Sequence, residues 1–321
     1  MRNRFAAWIF VALVGLSGLA HAGEIDDLRE RAEQGHAIAQ NNLGVAYYEG
    51  KGVPQDFAEA VKWYRKAADQ GIAVAQLNLG VAYYEGKGVP QDFAEAVKWY
   101  RKAADQGNAK AQFNLGVAYG NGEGVTQDHA EAVRWYRLAA DQGYAKAQYK
   151  LGFAYYKGEG VPQDYVEAVK WWRLAADQGD ADAQFGLGSA YYAGKGVTQD
   201  YAEALKWLRK AADQGDARAQ FGLGSAYYFG HGVTQDYAEA VKWFRKAADQ
   251  GQANAQGSLG FAYAKGEGVT QDYAEAHKWF NLSAAAGDTK AGELRDLVAE
   301  KMTPEQIAEA QRLAREWKPK E

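Results

Sequence analysis

Between Ala73 and Glu85 the small and apolar residues Ala75, Leu79, Ala82 and Tyr83 recur at three- and four-residue steps, the spacing of one helix face. Gly86-Lys87-Gly88-Val89-Pro90 cannot continue that helix, because the glycines admit positive φ and Pro90 lacks an amide donor and restricts Val89. Asp92 is placed to accept from the free amides of a second helix, and Glu95, three residues on, resembles the partner in a capping box. This second helix is predicted to run to about Asp105 with Ala96, Trp99, Tyr100 and Ala103 inward, and Gly107 sits where a C′ glycine belongs. Gly71 to Gln106 therefore reads as helix–loop–helix.

The pattern returns at a fixed interval. Trp63, Trp99, Trp135, Trp171, Trp207, Trp243 and Trp279 are each 36 residues apart, and glycines keep the same step from Gly44 to Gly260. A period of this size marks a solenoid, in which each repeat contacts its neighbours, and it overrides the two-domain expectation that a chain of 321 residues raises. Gly80 costs about 1 kcal/mol against alanine inside a helix, so its recurrence needs a reason, and close approach of a neighbouring helix supplies one. The tryptophan ladder reads as core: each ring in a wedge between helices buries about 150–250 Å², worth up to about 4–6 kcal/mol.

The ends depart from the pattern. Glu24 to Gln34 aligns with a second helix alone, with Asp27 where the tryptophan would stand. Asp288 to Lys301 reads as a charged helix, and Thr303-Pro304-Glu305-Gln306 opens another, with Thr303 and Gln306 as a capping box and Pro304 in the first turn. Such polar-faced pieces would shield the terminal repeats. At the start, Arg2 and Arg4 precede an uncharged, largely apolar run from Phe5 to Ala20, and Ala20-His21-Ala22 is a small-x-small cleavage site. Residues 1–22 thus read as an export signal, cleaved to leave Gly23 first. The run falls short of the roughly 20 residues a bilayer span needs; an uncleaved anchor is the alternative. The expected organisation is a signal peptide over 1–22, an N-terminal half-repeat over 23–34, seven repeats over 35–286 and capping helices over 287–321. The expected location is the periplasm or outside the cell, with no integral membrane segment after cleavage.

Composition adds exclusions. Formal net charge is −4, and loss of the leader removes two arginines and no acids. That balance offers no electrostatic footprint for nucleic acid or for an anionic membrane surface. There is no cysteine, hence no disulfide, thiol nucleophile or thiolate metal site.

The frame Ala-x-Ala-Gln-x-x-Leu-Gly-x-x-Tyr-x-x-Gly-x-Gly-Val-x-x-Asp-x-x-x-Ala-x-x-Trp-x-x-x-Ala-Ala, read from Ala73 to Ala104 and repeated from Gly35 to about Ala286, resembles the Sel-one-like repeat family, a relative of tetratricopeptide repeats. The resemblance implies an all-α, right-handed solenoid of two antiparallel helices per repeat, the first helices lining the concave side. It also implies an adaptor or scaffold, as in secreted bacterial members that contact host factors or cell-envelope machinery.

Chemistry is sparse. His21, His36, His129, His231 and His277 show no ligand spacing and read as surface or packing residues, so no metal or cofactor is expected. Asp56, Glu59 and their repeats are explained by helix capping. Gly50-x-Gly52-Val53 lacks the Gly-Lys-Ser/Thr of a phosphate loop. Cysteine-rich relatives described as β-lactamase-like suggest a cell-wall-directed hydrolase as the alternative function. Against it, Ser189, Ser225, Ser258 and Ser283 are not followed by lysine three residues on. The expectation is no enzyme.

Most positions hardly change between repeats, but a stripe on the first helix varies at steps of four, three and four, which places it on one face. It comprises Asn78, Val81 and Asn114 among earlier positions, then Lys146, Lys150, Phe153 and Lys157, then Ser189, Arg218, Ser225, Phe229, Phe261 and Lys265. These last ten are the candidate partner-binding residues, because phenylalanines are costly to expose without purpose. A solvated face that drifts neutrally is the bland alternative. The leading reading is a scaffold that holds a protein or peptide on its concave face, and a structural spacer is a third.

Overall fold

Each glycine break seen in the sequence separates two helices. The computed structural model describes residues 22–320. The leader assigned to 1–22 lies outside the described residues apart from Ala22, where the first helix begins. Regular structure among the described residues is α-helical throughout. The chain divides into two compact units between Gln163 and Asp164, in the loop of the fourth repeat. The first unit holds α1 (Ala22–Glu33), α2 (Ala37–Glu49), α3 (Phe57–Asp69), α4 (Ala73–Glu85), α5 (Phe93–Asp105), α6 (Ala109–Asn121), α7 (His129–Asp141) and α8 (Ala145–Lys157). The second holds α9 (Tyr165–Asp177), α10 (Ala181–Ala193), α11 (Tyr201–Asp213), α12 (Ala217–Phe229), α13 (Tyr237–Asp249), α14 (Ala253–Lys265), α15 (Tyr273–Ala285), α16 (Thr289–Ala299) and α17 (Pro304–Glu316). Within each unit, sequential helices pack on one another as all-α solenoid repeats. The even-numbered helices from α2 to α14 are the first helices of repeats, and the odd-numbered ones from α3 to α15 are the second.

The two kinds of helix are buried differently. A first helix is flanked by second helices, so α4 buries eight consecutive residues from Ala75 to Ala82. A second helix has one wet face: α5 buries Ala96, Val97, Trp99, Tyr100, Ala103 and Ala104, while Lys98 and Lys102 stay exposed. Trp99 packs with Leu79 of its own repeat and with Val61 and Tyr64 of the repeat before, so one ring joins two repeats. The ladder is core at six of its seven positions. Trp171 is only half-buried, while the adjacent Trp172, at the position of Tyr64, Tyr100 and Tyr136, is buried as they are.

The recurring helix glycine permits the contact between the two helices of a repeat. A β-carbon at Gly80 would stand 2.6 Å from the Tyr100 ring and 3.2 Å from the Ala96 carbonyl oxygen. Gly44 meets Tyr64 in the same way, Gly116 meets Tyr136, Gly188 meets Leu208, Gly224 meets Phe244 and Gly260 meets Phe280. In the loop, Gly88 has φ +75° and faces the Phe57 carbonyl oxygen of the previous repeat, which a β-carbon would approach to 2.1 Å. The break that ends a helix therefore also docks one repeat on the next.

Caps follow the sequence with one correction. Asp92 accepts from the Glu95 amide at 2.9 Å, as predicted. The Glu95 side chain does not close a capping box; it accepts from Trp99 Nε1 at 2.9 Å and pairs with Lys98. The Asp92 amide donates instead to the Tyr83 carbonyl at 2.9 Å, tying the second helix to the end of the first. At the C-terminus the Thr303–Gln306 capping box and Pro304 open α17 as expected. This helix packs on α15, buries Ala310 and Ala314, and brings Trp317 edge-on to Trp279 at 6.4 Å.

Alanine in place of glycine stabilises an ordinary helix interior by about 1 kcal/mol. Gly80→Ala should instead destabilise by about 1–3 kcal/mol, the range for an overpacked core. Tyr64→Phe should change stability by less than about 0.5 kcal/mol, since the buried Tyr64 hydroxyl has no hydrogen-bond partner. Urea unfolding of both variants checks the pair.

Candidate binding face

Periodic polar contacts set the first helices in register before any variable residue is considered. Arg65 donates to the hydroxyl of Tyr83 in the next repeat and lies over the Trp99 ring at 5.8 Å. Arg101 meets Tyr119, Arg137 meets Tyr155, Arg173 meets Tyr191, Arg209 meets Tyr227 and Arg245 meets Tyr263 in the same manner. The buried Gln76 donates to the Ala68 carbonyl at 3.1 Å, a helix-end acceptor that the Gly71 amide also reaches, and accepts from Gln106 at 2.8 Å. At the loops, the Tyr84 hydroxyl donates to Glu123 of the next repeat at 2.8 Å. Burial raises the Tyr84 pKa above the ordinary tyrosine value, and the hydrogen bond to Glu123 adds to the rise. Sequence reasoning missed these partners, although the arginines and glutamines recur at the 36-residue step in plain view.

On this frame the stripe is exposed in part. In the second and third repeats Asn78, Val81 and Asn114 are buried, contrary to a wholly accessible face. Asn78 donates to Asn41 of the preceding first helix at 3.2 Å, so here the stripe position serves packing between repeats. On α8, Lys146, Lys150 and Phe153 are half-buried and Lys157 is exposed. Phe153 lies 6.4 Å from the Tyr149 ring, with the Lys157 ammonium 5.7 Å from its own ring centre.

In the second unit Ser189 and Ser225 are half-buried on α10 and α12. Arg218 is exposed yet engaged, pairing with both Asp216 and Asp182 at 2.5 Å and lying over the Phe185 ring at 4.5 Å. Partial burial disfavours its charge, but the hydrogen bonds to the two aspartates outweigh that and raise its pKa. Arg218 is therefore a tie between repeats before it is a contact for a ligand. Phe229 ends α12 with 61% of its surface exposed, flanked by Tyr228 and by His231, whose ring also stacks on Tyr201 at 4.9 Å. Phe261 is half-buried beneath Lys265, at 4.5 Å, on α14. The α8 group thus lies in one unit and the α10 to α14 residues in the other. Apolar exposure is not confined to first helices, since Leu138 on α7 and Val166 and Leu174 on α9 are also exposed.

Of the serines, Ser283 is fully buried and donates to the Ala253 carbonyl at 2.9 Å, a packing role. His36 and His129 are exposed, and His277 is buried. Among the described residues no three histidine or carboxylate side chains gather as metal ligands. No helix among them is long and apolar enough to cross a membrane.

The Sel1 repeat family model matches seven times in succession, at residues 37–72, 73–108, 109–144, 145–180, 181–216, 217–252 and 253–288. Among solved structures, a Sel1 repeat protein from Oxalobacter formigenes is similar at 41% identity and a TM-score of 0.69, over 86% of this chain and 82% of that one. The c5321 protein, a protective antigen of uropathogenic Escherichia coli strains with an SLR fold, is similar at 32% identity and a TM-score of 0.55, over 92% of this chain and 87% of that one. Comparison with curated proteins gives no significant match.

The burial pattern separates face from core by measurement. Phe229→Ala should leave stability within about 0.5 kcal/mol, as for surface changes, whereas Trp207→Ala should cost about 3–5 kcal/mol. Chemical denaturation of both variants decides; equal losses would put Phe229 in the core.

Proposed function

The chain belongs to the Sel1 repeat family, and on that premise we propose that it is a non-catalytic scaffold holding a peptide or protein partner on the face of its first helices. Sel1 repeat proteins act as protein–protein interaction scaffolds and bind protein partners. The observation that carries the reading for this chain is Phe229. An aromatic ring that packing does not require stands 61% exposed beside two further rings, on a helix whose counterparts end in Glu49, Glu85, Asn121, Lys157, Ala193 and Lys265. Such a ring anchors a partner efficiently, because it removes much apolar surface from water at little cost in side-chain entropy. Phe261, in the same unit and with Lys265 over its ring, adds an amphipathic contact of the same kind, and Phe153 with Lys157 offers one in the other unit. In a family superhelix this face lines the concave side, which suits an extended segment.

The proposed location is the cell envelope or the exterior. The leader pattern of residues 1–22 supports it, as does similarity to a relative that is a protective antigen. The acidic net charge argues against nucleic acid as the partner. The hydrolase alternative finds no support in the residues, since no serine stands in a Ser-x-x-Lys pattern and Ser283 is committed to packing.

A photo-crosslinking amino acid installed at Phe229 or Phe261 in cells should capture one discrete partner. The same probe at Lys62 or Leu138, on second helices, should not. Capture from Leu138 and not from Phe229 would move the binding surface to the other face, and steady turnover of a chromogenic β-lactam would overturn the non-catalytic reading.

A further inference from the structure

The last repeat breaks its own pattern where α15 meets the C-terminal helices. The position that carries Val61, Val97, Val133, Val169, Leu205 and Val241 carries His277, and the position of Arg245 and its equivalents carries Asn281. The residues at the first position are core, and His277 is buried as deeply, at 3% exposure. A histidine where packing alone asks for valine is costly, and its Nδ1 has no hydrogen-bond partner.

His277 and Asn281, four residues apart, lie on one face of α15 and form one wall of a cavity of about 430 Å³. Arg295 and Asp296 of α16 and Gln311 and Arg315 of α17 form the others. Arg295 pairs with Asp296 at 2.7 Å and donates to Asn281 Oδ1 at 3.3 Å, which leaves the Asn281 NH₂ group as a donor. Arg315 is exposed and has no ion pair among the described residues. The lining therefore holds two guanidinium groups against one carboxylate. Burial, and then the charge of Arg295, hold the His277 pKa below the ordinary histidine value, with Asp296 opposing. The terminal torsion of histidine is two-fold, which lets the ring present either nitrogen.

We propose that this cavity is an oxyanion site that takes a carboxylate or a phosphate group. Arg315 supplies the unpaired charge, Arg295 is held in place by Asp296, and His277, Asn281 and Gln311 supply donors around the anion. Guanidinium forks match the planar or tetrahedral oxygens of both groups. None of the residues lining the cavity belongs to the first-helix stripe, and its existence does not depend on that stripe binding anything.

The test uses the full chain, titrated with inorganic phosphate and separately with acetate, at an ionic strength held constant with chloride. Imidazole resonances of His277 are followed by NMR, with His36, His129 and His231 as internal references. A saturable shift confined to His277 with either anion is expected, and the anion that saturates at lower concentration distinguishes a phosphate ligand from a carboxylate ligand. Arg315→Gln, at an exposed helical position, should weaken that affinity at least tenfold by calorimetry without altering the circular dichroism spectrum. His277→Val, which restores the residue of the other repeats, should raise the melting temperature and weaken affinity at least tenfold as well. The proposal is overturned by the absence of a saturable shift with both anions, by parallel shifts of all the histidines, or by unchanged affinity in Arg315→Gln.

Discussion

The contact between a β-carbon-free helix position and a facing side chain is the constraint from which the rest follows. With Gly80 against Tyr100, the two helices of a repeat approach until the ring touches backbone, and the ring is almost wholly buried. That approach fixes the depth of the following loop, which sets Gly88 over the Phe57 carbonyl of the previous repeat. It also sets the wedge that Trp99 fills between Leu79 and the previous Val61 and Tyr64. Each repeat is therefore completed by its neighbour, and the second helix α1 and the cap α17 supply that completion at the ends. The cost of glycine in a helix is offset by close packing that any side chain would prevent.

Local structure was legible because its causes are local. Breaks at Gly-x-Gly, aspartate caps and the Thr303–Gln306 box act within four residues, and the helix boundaries follow them. What the sequence did not disclose were the partners. An arginine recurring at the 36-residue step announces that its role is periodic, and nothing in that period says that it meets a tyrosine eighteen residues on. The same holds for Gln76, whose recurrence marks a buried hydrogen bond to a helix end and not a surface choice.

The variable stripe illustrates the opposite failure. Variation between repeats implies freedom from packing, which holds for Phe229 and Lys157 and fails for Asn78, Val81 and Asn114. Asn78 bonds Asn41 one repeat back, and Arg218 bonds Asp182 thirty-six residues back, so differences between repeats can be matched pairs. A deviation from the repeat points to function only where its side chain remains without a structural task, as with the exposed ring of Phe229.

If each repeat is completed only by its neighbours, stability is a sum of repeat and interface terms, and whole repeats are removable. Deleting Gly71 to Gln106 joins Gln70 to Gly107 and restores a native-type junction. Gel filtration and circular dichroism melts of this variant, beside one lacking only 71–88, compare a deletion in phase with a deletion out of phase. The in-phase variant should be monodisperse, with per-residue helicity unchanged and a modest loss of melting temperature, while the out-of-phase variant should aggregate. Equal behaviour of the two would contradict the repeat as the unit of this structure.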